Sequence, residues 1–193
     1  MKNAIFLDRD GVINIDYGYV HKVQNFDFMD NIFDLVSEAK KNGFLVIVIT
    51  NQAGIGRGIY TQHDFQKLTD WMCDRFEKEG CSIDKVYFSP YHPKYGLGEY
   101  KKDHYSRKPN PGMIIQAIEE FKINPENSIL IGDKVSDIIA GNLAGVGTNI
   151  LLNYRGKKDI SSLKAQELES INDVIKFLKE LNSEKKKSDT YEY

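Results

Sequence analysis

The sequence predicts an α/β fold in which a parallel β-sheet is covered by helices on both faces. Short apolar runs alternate along the chain with segments of helical periodicity, such as residues 31–42. The apolar runs are continuous rather than alternating with polar residues, as expected of strands that are buried on both faces. The chain of 193 residues is long enough for one buried core, and no linker or internal repeat divides it.

The predicted elements follow one another mostly as strand and helix. Residues 4–7 form the first strand, and the aromatic segment 15–30 after it has no helical period. Gly43 ends the first helix, and Thr61 begins a longer one after the loop NQAGIGRG. The later predicted elements are strand 44–50, helix 61–79, strand 85–90, a long loop to residue 112, helix 113–121, strand 128–133, helix 136–145, strand 148–153 and helix 162–182.

Composition limits the classes of protein that this chain can be. Residues 1–182 are predicted to form a single domain, and the polar segment 183–193 a disordered tail. The net charge of −2 gives no general attraction to nucleic acid or to membranes. Two cysteines outside any Cys-x-x-Cys pair fit a reducing compartment, and no apolar run is long enough to cross a bilayer. We therefore expect a cytoplasmic monomer without nucleic-acid or membrane partners.

Two carboxylates, Asp8 and Asp10, come directly after the first predicted strand. Two like charges at the mouth of a buried sheet repel each other and lose hydration unless positive charge lies between them. One interpretation is a solvated turn, since Asp and Gly are common turn residues. The other is a site that a bound cation or a basic side chain completes. On this segment alone both interpretations stay open.

Three further polar segments lie where ligands bind in parallel sheets, beyond the carboxyl ends of the strands. TNQAG follows the second strand, GDKVSD follows the ILI strand, and SRKPNPGM leads into a helix. Each has a structural alternative, because Thr50 could end a strand, Lys108 could be a solvated charge and Asp133 could cap a helix. Together with DRDGV, these segments resemble the four motifs of the haloacid dehalogenase-like phosphatase superfamily, over the chain to about residue 155.

This resemblance implies a Rossmann-like, capless haloacid dehalogenase-like fold and a Mg²⁺-dependent phosphomonoester hydrolase. It implies that Asp8 is the nucleophile and that Asp10 is the general acid and base. It also implies that Thr50 and Lys108 contact the oxygens of the transferred phosphoryl group. The residues implied to hold Mg²⁺ are Asp8, Asp10 through its backbone carbonyl, and Asp133, with Asp137 as an orienting group behind them.

Several stretches, among them FLDRDGVIN, DYGYVHK and RKPNPGM, further resemble the capless D-glycero-D-manno-heptose-1,7-bisphosphate phosphatases. This resemblance implies a phosphosugar substrate that loses its 7-phosphate, in the supply of heptose for lipopolysaccharide or other surface glycans. A somewhat weaker resemblance to histidinol-phosphate phosphatases leaves that substrate as an alternative, and a catalytically silent phosphosugar-binding module is another. The residues implied to line the substrate site are Asp16, Tyr17, Gly18, Tyr19, Asn51, Gln52, Ala53, Arg107 and Lys134.

The long loop departs from both resembled families at the positions that they use for zinc. Those families hold the loop through Cys-x-His and Cys-x-Cys, whereas this chain has Ser89, Tyr91, His104 and Ser106 there. Serine and tyrosine are poor structural zinc ligands compared with thiolate and imidazole. We therefore expect no structural zinc and a loop held by packing. The candidates for that packing are Tyr91, Tyr95, Tyr100 and Tyr105.

Overall fold

The computed structural model describes residues 1–153 and 160–190, and within them six strands form one parallel sheet in the order β3-β2-β1-β4-β5-β6. The strands are β1 (Ala4–Leu7), β2 (Leu45–Asn51), β3 (Lys85–Ser89), β4 (Ile129–Gly132), β5 (Thr148–Leu152) and β6 (Gln166–Leu168). The helices are α1 (Ile32–Lys41), α2 (Ala53–Gly56), α3 (Gln62–Lys78), α4 (Gly112–Phe121), α5 (Val135–Leu143) and α6 (Ile171–Thr190), with single 3₁₀ turns at Val23–Asn25 and Gly98–Tyr100.

The central strand β1 is buried on both faces, which confirms the predicted fold class. Alternate residues of a strand point to opposite faces of its sheet. Ile5 and Leu7 pack in an apolar layer with α1, α3 and α6, whereas Ala4 and Phe6 pack in a second layer with α4 and α5. Since all four side chains are buried, β1 has no polar position of its own. The first polar residue after it therefore emerges at the carboxyl edge of the sheet.

The structure corrects the sequence prediction at the last strand. Residues 162–182 were expected to form one helix, but Gln166–Leu168 pairs with β5 as the edge strand β6. A strand of three residues, two of them polar, is too short to produce a recognisable pattern. Helix α6 begins after it, where the Ser170 hydroxyl accepts a hydrogen bond from the Asp173 N–H at 3.2 Å. The start of the helix is thus set by a capping residue.

Two further helical segments differ from the predictions. Helix α6 continues to Thr190, so the segment 183–190 is helical where a disordered tail was expected, and residues 191–193 of that tail lie outside the described residues. This segment holds Glu184 and three consecutive lysines, which are good helix formers. In the predicted loop NQAGIGRG, Ala53–Gly56 forms the short helix α2. None of the helices in residues 1–153 and 160–190 has the length and apolar character needed to cross a bilayer.

Removing the chain after Asn182 is expected to leave the fold intact. Helix α6 packs on α1, and its buried side chains Val174, Ile175 and Leu178 all precede the cut. We expect the truncated protein to melt within about 3 °C of the full chain, because the removed segment is polar in sequence and has no apolar side chains to bury apart from two tyrosines at its end. Thermal unfolding followed by circular dichroism measures this.

Leu178→Ala in the same helix is the control. Leu178 is buried, so this variant should lose about 2–5 kcal/mol of unfolding free energy. A truncation as destabilising as Leu178→Ala would show that the end of the chain docks on the domain.

Candidate active site

The structure brings three of the predicted polar segments together at the carboxyl edge of the sheet. Because β1 lies between β2 and β4, the residues after these three strands are neighbours. Asp8 follows β1, Thr50 lies near the end of β2, and Asp133 follows β4. Lys108 reaches the same point from the loop that precedes α4. Asp8, Thr50 and Lys108 are buried, and Asp133 is half-buried.

Lys108 is the central cation of this cluster. Its Nζ lies 2.9 Å from Asp8 Oδ1 and 2.7 Å from Asp137 Oδ1, and it donates a hydrogen bond to the Ile49 carbonyl at 2.9 Å. Burial opposes the charge, but the carboxylates of Asp137 and Asp8 raise the pKa of Lys108 above its usual value. The ammonium group therefore stays charged and has one fixed position.

The carboxylates around Lys108 form a group suited to a metal ion. One oxygen each from Asp8, Asp133 and Asp137 lies within 4.8 Å of the others, the one such group found in the described residues. Burial raises the pKa of Asp8 to about 7, and the nearby Asp137 and Asp133 charges add to this while Lys108 opposes it. Three carboxylates against two lysines, Lys108 and Lys134, leave an excess of negative charge. Oxygen ligands of this kind fit a hard divalent cation such as Mg²⁺.

Close contacts of Asp133 and Asp137 indicate different roles for these two carboxylates. Gly11 has a φ of 98°, and a Cβ at this position would collide with the Asp133 carboxylate. Asp133 therefore packs directly against the backbone beside the Asp10 carbonyl. The sequence resemblance implies that this carbonyl is also a ligand of Mg²⁺. Asp137 is engaged on both oxygens, since Oδ2 accepts the Lys134 N–H at 2.9 Å and Oδ1 faces Lys108. This arrangement fits Asp137 as an orienting group rather than as a metal ligand.

The Asp10 side chain is held by residues that the sequence prediction did not assign to the site in this role. Arg9 Nη2 lies 2.8 and 2.9 Å from its two oxygens, Asn14 Nδ2 donates at 3.1 Å and Gln52 Nε2 donates at 3.0 Å. Arg9 is almost fully buried, and it also donates to the Val20 carbonyl at 2.7 Å. The sequence did offer a signal for Arg9, because it is a cation between two aspartates directly after a buried strand. No feature of the sequence pointed to Asn14.

The predicted substrate residues fall into two sets. Lys134 pairs with Asp16 at 3.1 Å, so these two lie together at the exposed edge of the site. Burial disfavours the charge of Lys134, but the carboxylates of Asp8, Asp133 and Asp16 raise its pKa. A cavity of about 750 Å³ opens beside this pair, between Gly11 and the residues that precede α6. The other exposed members are Tyr17, Gly18 and Tyr19.

The side chains of Asn51 and Gln52 face inward and hold other residues of the site. Asn51 Oδ1 accepts the Lys108 N–H at 3.1 Å, and its Nδ2 donates to the Lys108 carbonyl at 3.0 Å. Gln52 is buried and donates to Asp10 and to Thr50 Oγ1, the latter at 2.8 Å. These contacts differ from the direct substrate contacts implied by the resemblance. Ala53 begins α2 and offers only its backbone.

Polar contacts and ring stacking are found at the four loop positions for which no zinc was expected, Ser89, Tyr91, His104 and Ser106. Ser106 Oγ donates to Ser89 Oγ at 3.0 Å and lies 2.8 Å from His104 Nδ1, and the His104 ring stacks on Tyr91 at 3.9 Å. Arg107 Nη1 donates to the Tyr91 carbonyl at 2.9 Å. Of the other tyrosines proposed to pack the loop, Tyr100 lies 5.7 Å from Tyr91 and Tyr95 contacts His92, whereas Tyr105 is exposed.

The protein has a parallel α/β sheet, and the aspartate after its central strand pairs with a buried lysine beside a second aspartate. This arrangement defines a hydrolase of the haloacid dehalogenase-like class. A family model described as HAD-hydrolase-like matches residues 105–181. A computed comparison with solved structures gives a TM-score of 0.83 and 29% identity to a HAD-like phosphatase of Mesorhizobium loti, covering 93% of this chain and 87% of that one. The D,D-heptose 1,7-bisphosphate phosphatase of B. bronchiseptica, complexed with magnesium and phosphate, shares the fold with a TM-score of 0.77 and 23% identity, covering 93% and 99%.

Relatives of known name define the family more narrowly. The chain is 51% identical to the D-glycero-alpha-D-manno-heptose-1,7-bisphosphate 7-phosphatase of Burkholderia mallei, over 92% of this chain and 95% of that protein. It is 44% identical to the D-glycero-beta-D-manno-heptose-1,7-bisphosphate 7-phosphatase of Haemophilus influenzae, over 94% and 99%. The chain therefore belongs to the D-glycero-D-manno-heptose-1,7-bisphosphate 7-phosphatase family, which confirms the family resemblance found in the sequence.

Added Mg²⁺ is expected to stabilise the protein through the carboxylate group. A ligand that binds only the folded state raises its stability by about 2.7 kcal/mol at 100 times its Kd. We expect Mg²⁺ to raise the melting temperature of the wild type and to have little effect on Asp133→Asn, which removes one charged oxygen ligand. Differential scanning calorimetry in chelator and in Mg²⁺ measures this difference.

Asp74→Asn is the matched control, because Asp74 is an exposed acid on α3 that pairs with Lys78. It should keep the full response to Mg²⁺. An equal response in Asp133→Asn would show that the metal binds elsewhere.

Proposed function

We propose that this protein hydrolyses the 7-phosphate of D-glycero-D-manno-heptose 1,7-bisphosphate through an aspartyl-phosphate intermediate. The observation that carries the chemistry is the buried contact of Asp8 with Lys108 at the end of β1, beside Asp133 and Asp137. The names of relatives that match nearly the whole chain support the choice of substrate.

In the first step, Asp8 attacks the phosphorus atom. In the described contacts of its carboxylate, Oδ1 accepts the Arg9 N–H at 2.7 Å and also pairs with Lys108 at 2.9 Å. This leaves Oδ2 as the attacking atom. The new Oδ2–P bond forms as the bond from phosphorus to the sugar oxygen breaks, and Asp10 gives its proton to that departing oxygen. Lys108 and the Thr50 hydroxyl compensate charge on the phosphoryl oxygens.

In the second step, water breaks the aspartyl-phosphate. Asp10, now a carboxylate, accepts a proton from the water as its oxygen bonds to phosphorus, and the bond to Asp8 breaks to release inorganic phosphate. Asp8, Asp133 and the Asp10 carbonyl would hold Mg²⁺, which would neutralise charge on the phosphate when bound. The two aspartates that act in sequence are thus two residues apart, and Arg9 between them holds Asp10.

Phosphate release from heptose bisphosphate, compared with histidinol phosphate at equal concentration, tests this function. We expect a higher kcat/KM for the heptose bisphosphate, and both of its anomers should be assayed because relatives are named for each. The histidinol-phosphatase alternative is not supported by the comparisons, and a preference for that substrate would overturn the assignment. Absence of any phosphatase activity with Mg²⁺ would favour the silent binding module.

Absence of structural zinc, a monomeric state and a cytoplasmic location also belong to this proposal. The contacts among Ser89, His104 and Ser106 support a loop that is ordered without metal. His104 is the single residue among the four positions with a common zinc-ligating side chain.

Replacing either aspartate should remove activity without unfolding the protein. Asp8→Asn is expected to abolish turnover, because an amide does not act as the nucleophile. Asp10→Asn should lower kcat by roughly 10²- to 10⁴-fold, the usual contribution of a general acid or base. Steady-state phosphate release measures both, with the exposed Asp74→Asn as a control that keeps full activity. Near-wild-type turnover in either variant would contradict the mechanism.

Arg107 is expected to contribute to substrate preference. Only its Nη1 has a described hydrogen bond, to the Tyr91 carbonyl, and a half-buried guanidinium can bind a second phosphate or sugar hydroxyls. Arg107→Ala should lower kcat/KM for the heptose bisphosphate by about 10- to 100-fold and for phenyl phosphate by less than about threefold. The exposed Arg75→Ala on α3 is the control. Equal losses on the two substrates would make Arg107 part of the catalytic machinery instead.

A further inference from the structure

Tyr60 lies behind the catalytic residues, and its hydroxyl donates a hydrogen bond to Gln52 Oε1 at 2.5 Å. We infer that Tyr60 is a positioning residue that holds the carboxylate of Asp10 through the side-chain amide of Gln52. This inference rests on the proposed role of Asp10 but not on the identity of the sugar.

The Asp10 carboxylate on one side and the Tyr60 hydroxyl on the other hold the Gln52 amide in one orientation. A hydroxyl proton is donated to the oxygen of an amide, never to its NH₂ group. With Oε1 turned toward Tyr60, the NH₂ group faces the other way, where Nε2 lies 3.0 Å from Asp10 Oδ2 and 2.8 Å from Thr50 Oγ1. Both N–H groups of the amide are therefore used. The Thr50 hydroxyl accepts one of them, so its own proton remains available for a phosphoryl oxygen.

Tyr60 is itself held in place. Its side chain is buried, and the His21 ring stacks on it with a centroid distance of 4.9 Å and an interplanar angle of 8°. A Cβ at Gly54 would collide with the Tyr60 ring, so the backbone of α2 packs directly against it. Burial raises the pKa of the Tyr60 hydroxyl, which keeps it a hydrogen-bond donor at working pH.

Loss of the hydroxyl should weaken Asp10 as a general acid without removing it. Arg9 and Asn14 still contact the carboxylate, but Gln52 Oε1 would lose its bond from Tyr60, so the amide would be held less firmly. A less firmly held amide positions the Asp10 carboxylate less precisely, and small displacements of catalytic groups are costly. The loss should be largest where the leaving group most needs a proton.

The first experiment compares two esters of similar shape, phenyl phosphate and 4-nitrophenyl phosphate, since nitrophenolate departs without a proton. The kcat/KM value reports the steps up to departure of the alcohol. Tyr60→Phe should lower kcat/KM about 10-fold for phenyl phosphate and less than about threefold for 4-nitrophenyl phosphate. Tyr87→Phe is the matched control, because Tyr87 is also buried and its hydroxyl donates at 2.5 Å, to Glu120 away from the site. It should change neither value.

The second experiment asks whether Tyr60 acts through Gln52. Gln52→Met keeps the length of the side chain and removes the amide, so adding Tyr60→Phe to it should cause no further loss. Equal losses on the two esters, or multiplicative losses in the double variant, would overturn the inference. The wild-type rates on the two esters test the proposed function, and the ratio between the variant losses tests the positioning role.

Discussion

The ion pair of Lys108 with Asp8 is the interaction on which the rest of the site depends. A buried carboxylate and a buried ammonium each cost several kcal/mol to desolvate, and the pair repays this only when its geometry is fixed by further hydrogen bonds. Ile49 and Asn51, both in β2, supply those bonds to Lys108. Strand β2, which lies next to β1, therefore positions Lys108 of a distant loop at the carboxyl end of β1.

The same ion pair explains why the acidic residues tolerate one another. Lys108 bridges Asp8 and Asp137, and Lys134 lies 3.8 Å from Asp133, so three carboxylates face two lysines. The remaining negative charge would repel a phosphate dianion unless a divalent cation were bound first. Cation binding and substrate binding are therefore expected to be coupled, because the metal changes the sign of the potential that the phosphate meets.

Much of this arrangement was predictable from sequence, and the limits have physical causes. Asp8, Thr50 and Asp133 were placed at one edge because continuous apolar runs identify buried parallel strands, whose carboxyl ends share that edge. The inward orientation of Asn51 and Gln52 was not predictable, because it depends on which way the chain turns after β2. Helix α2 decides that turn, and four residues of Gly-rich sequence give no helical period. The role of Tyr60 was hidden for the same reason.

The long loop links Arg107 to the side chains of Tyr91, His104 and Ser106. Arg107 donates to the Tyr91 carbonyl, and the Tyr91 ring stacks on His104, whose Nδ1 contacts Ser106. The position of the guanidinium is thus linked to a stacked ring pair and to the hydrogen bonds around it. Ring stacking and hydrogen bonds of this kind contribute about 1 kcal/mol each. We therefore expect the loop to open at a modest free-energy cost, and a ligand bound by Arg107 would add to the order of the closed loop.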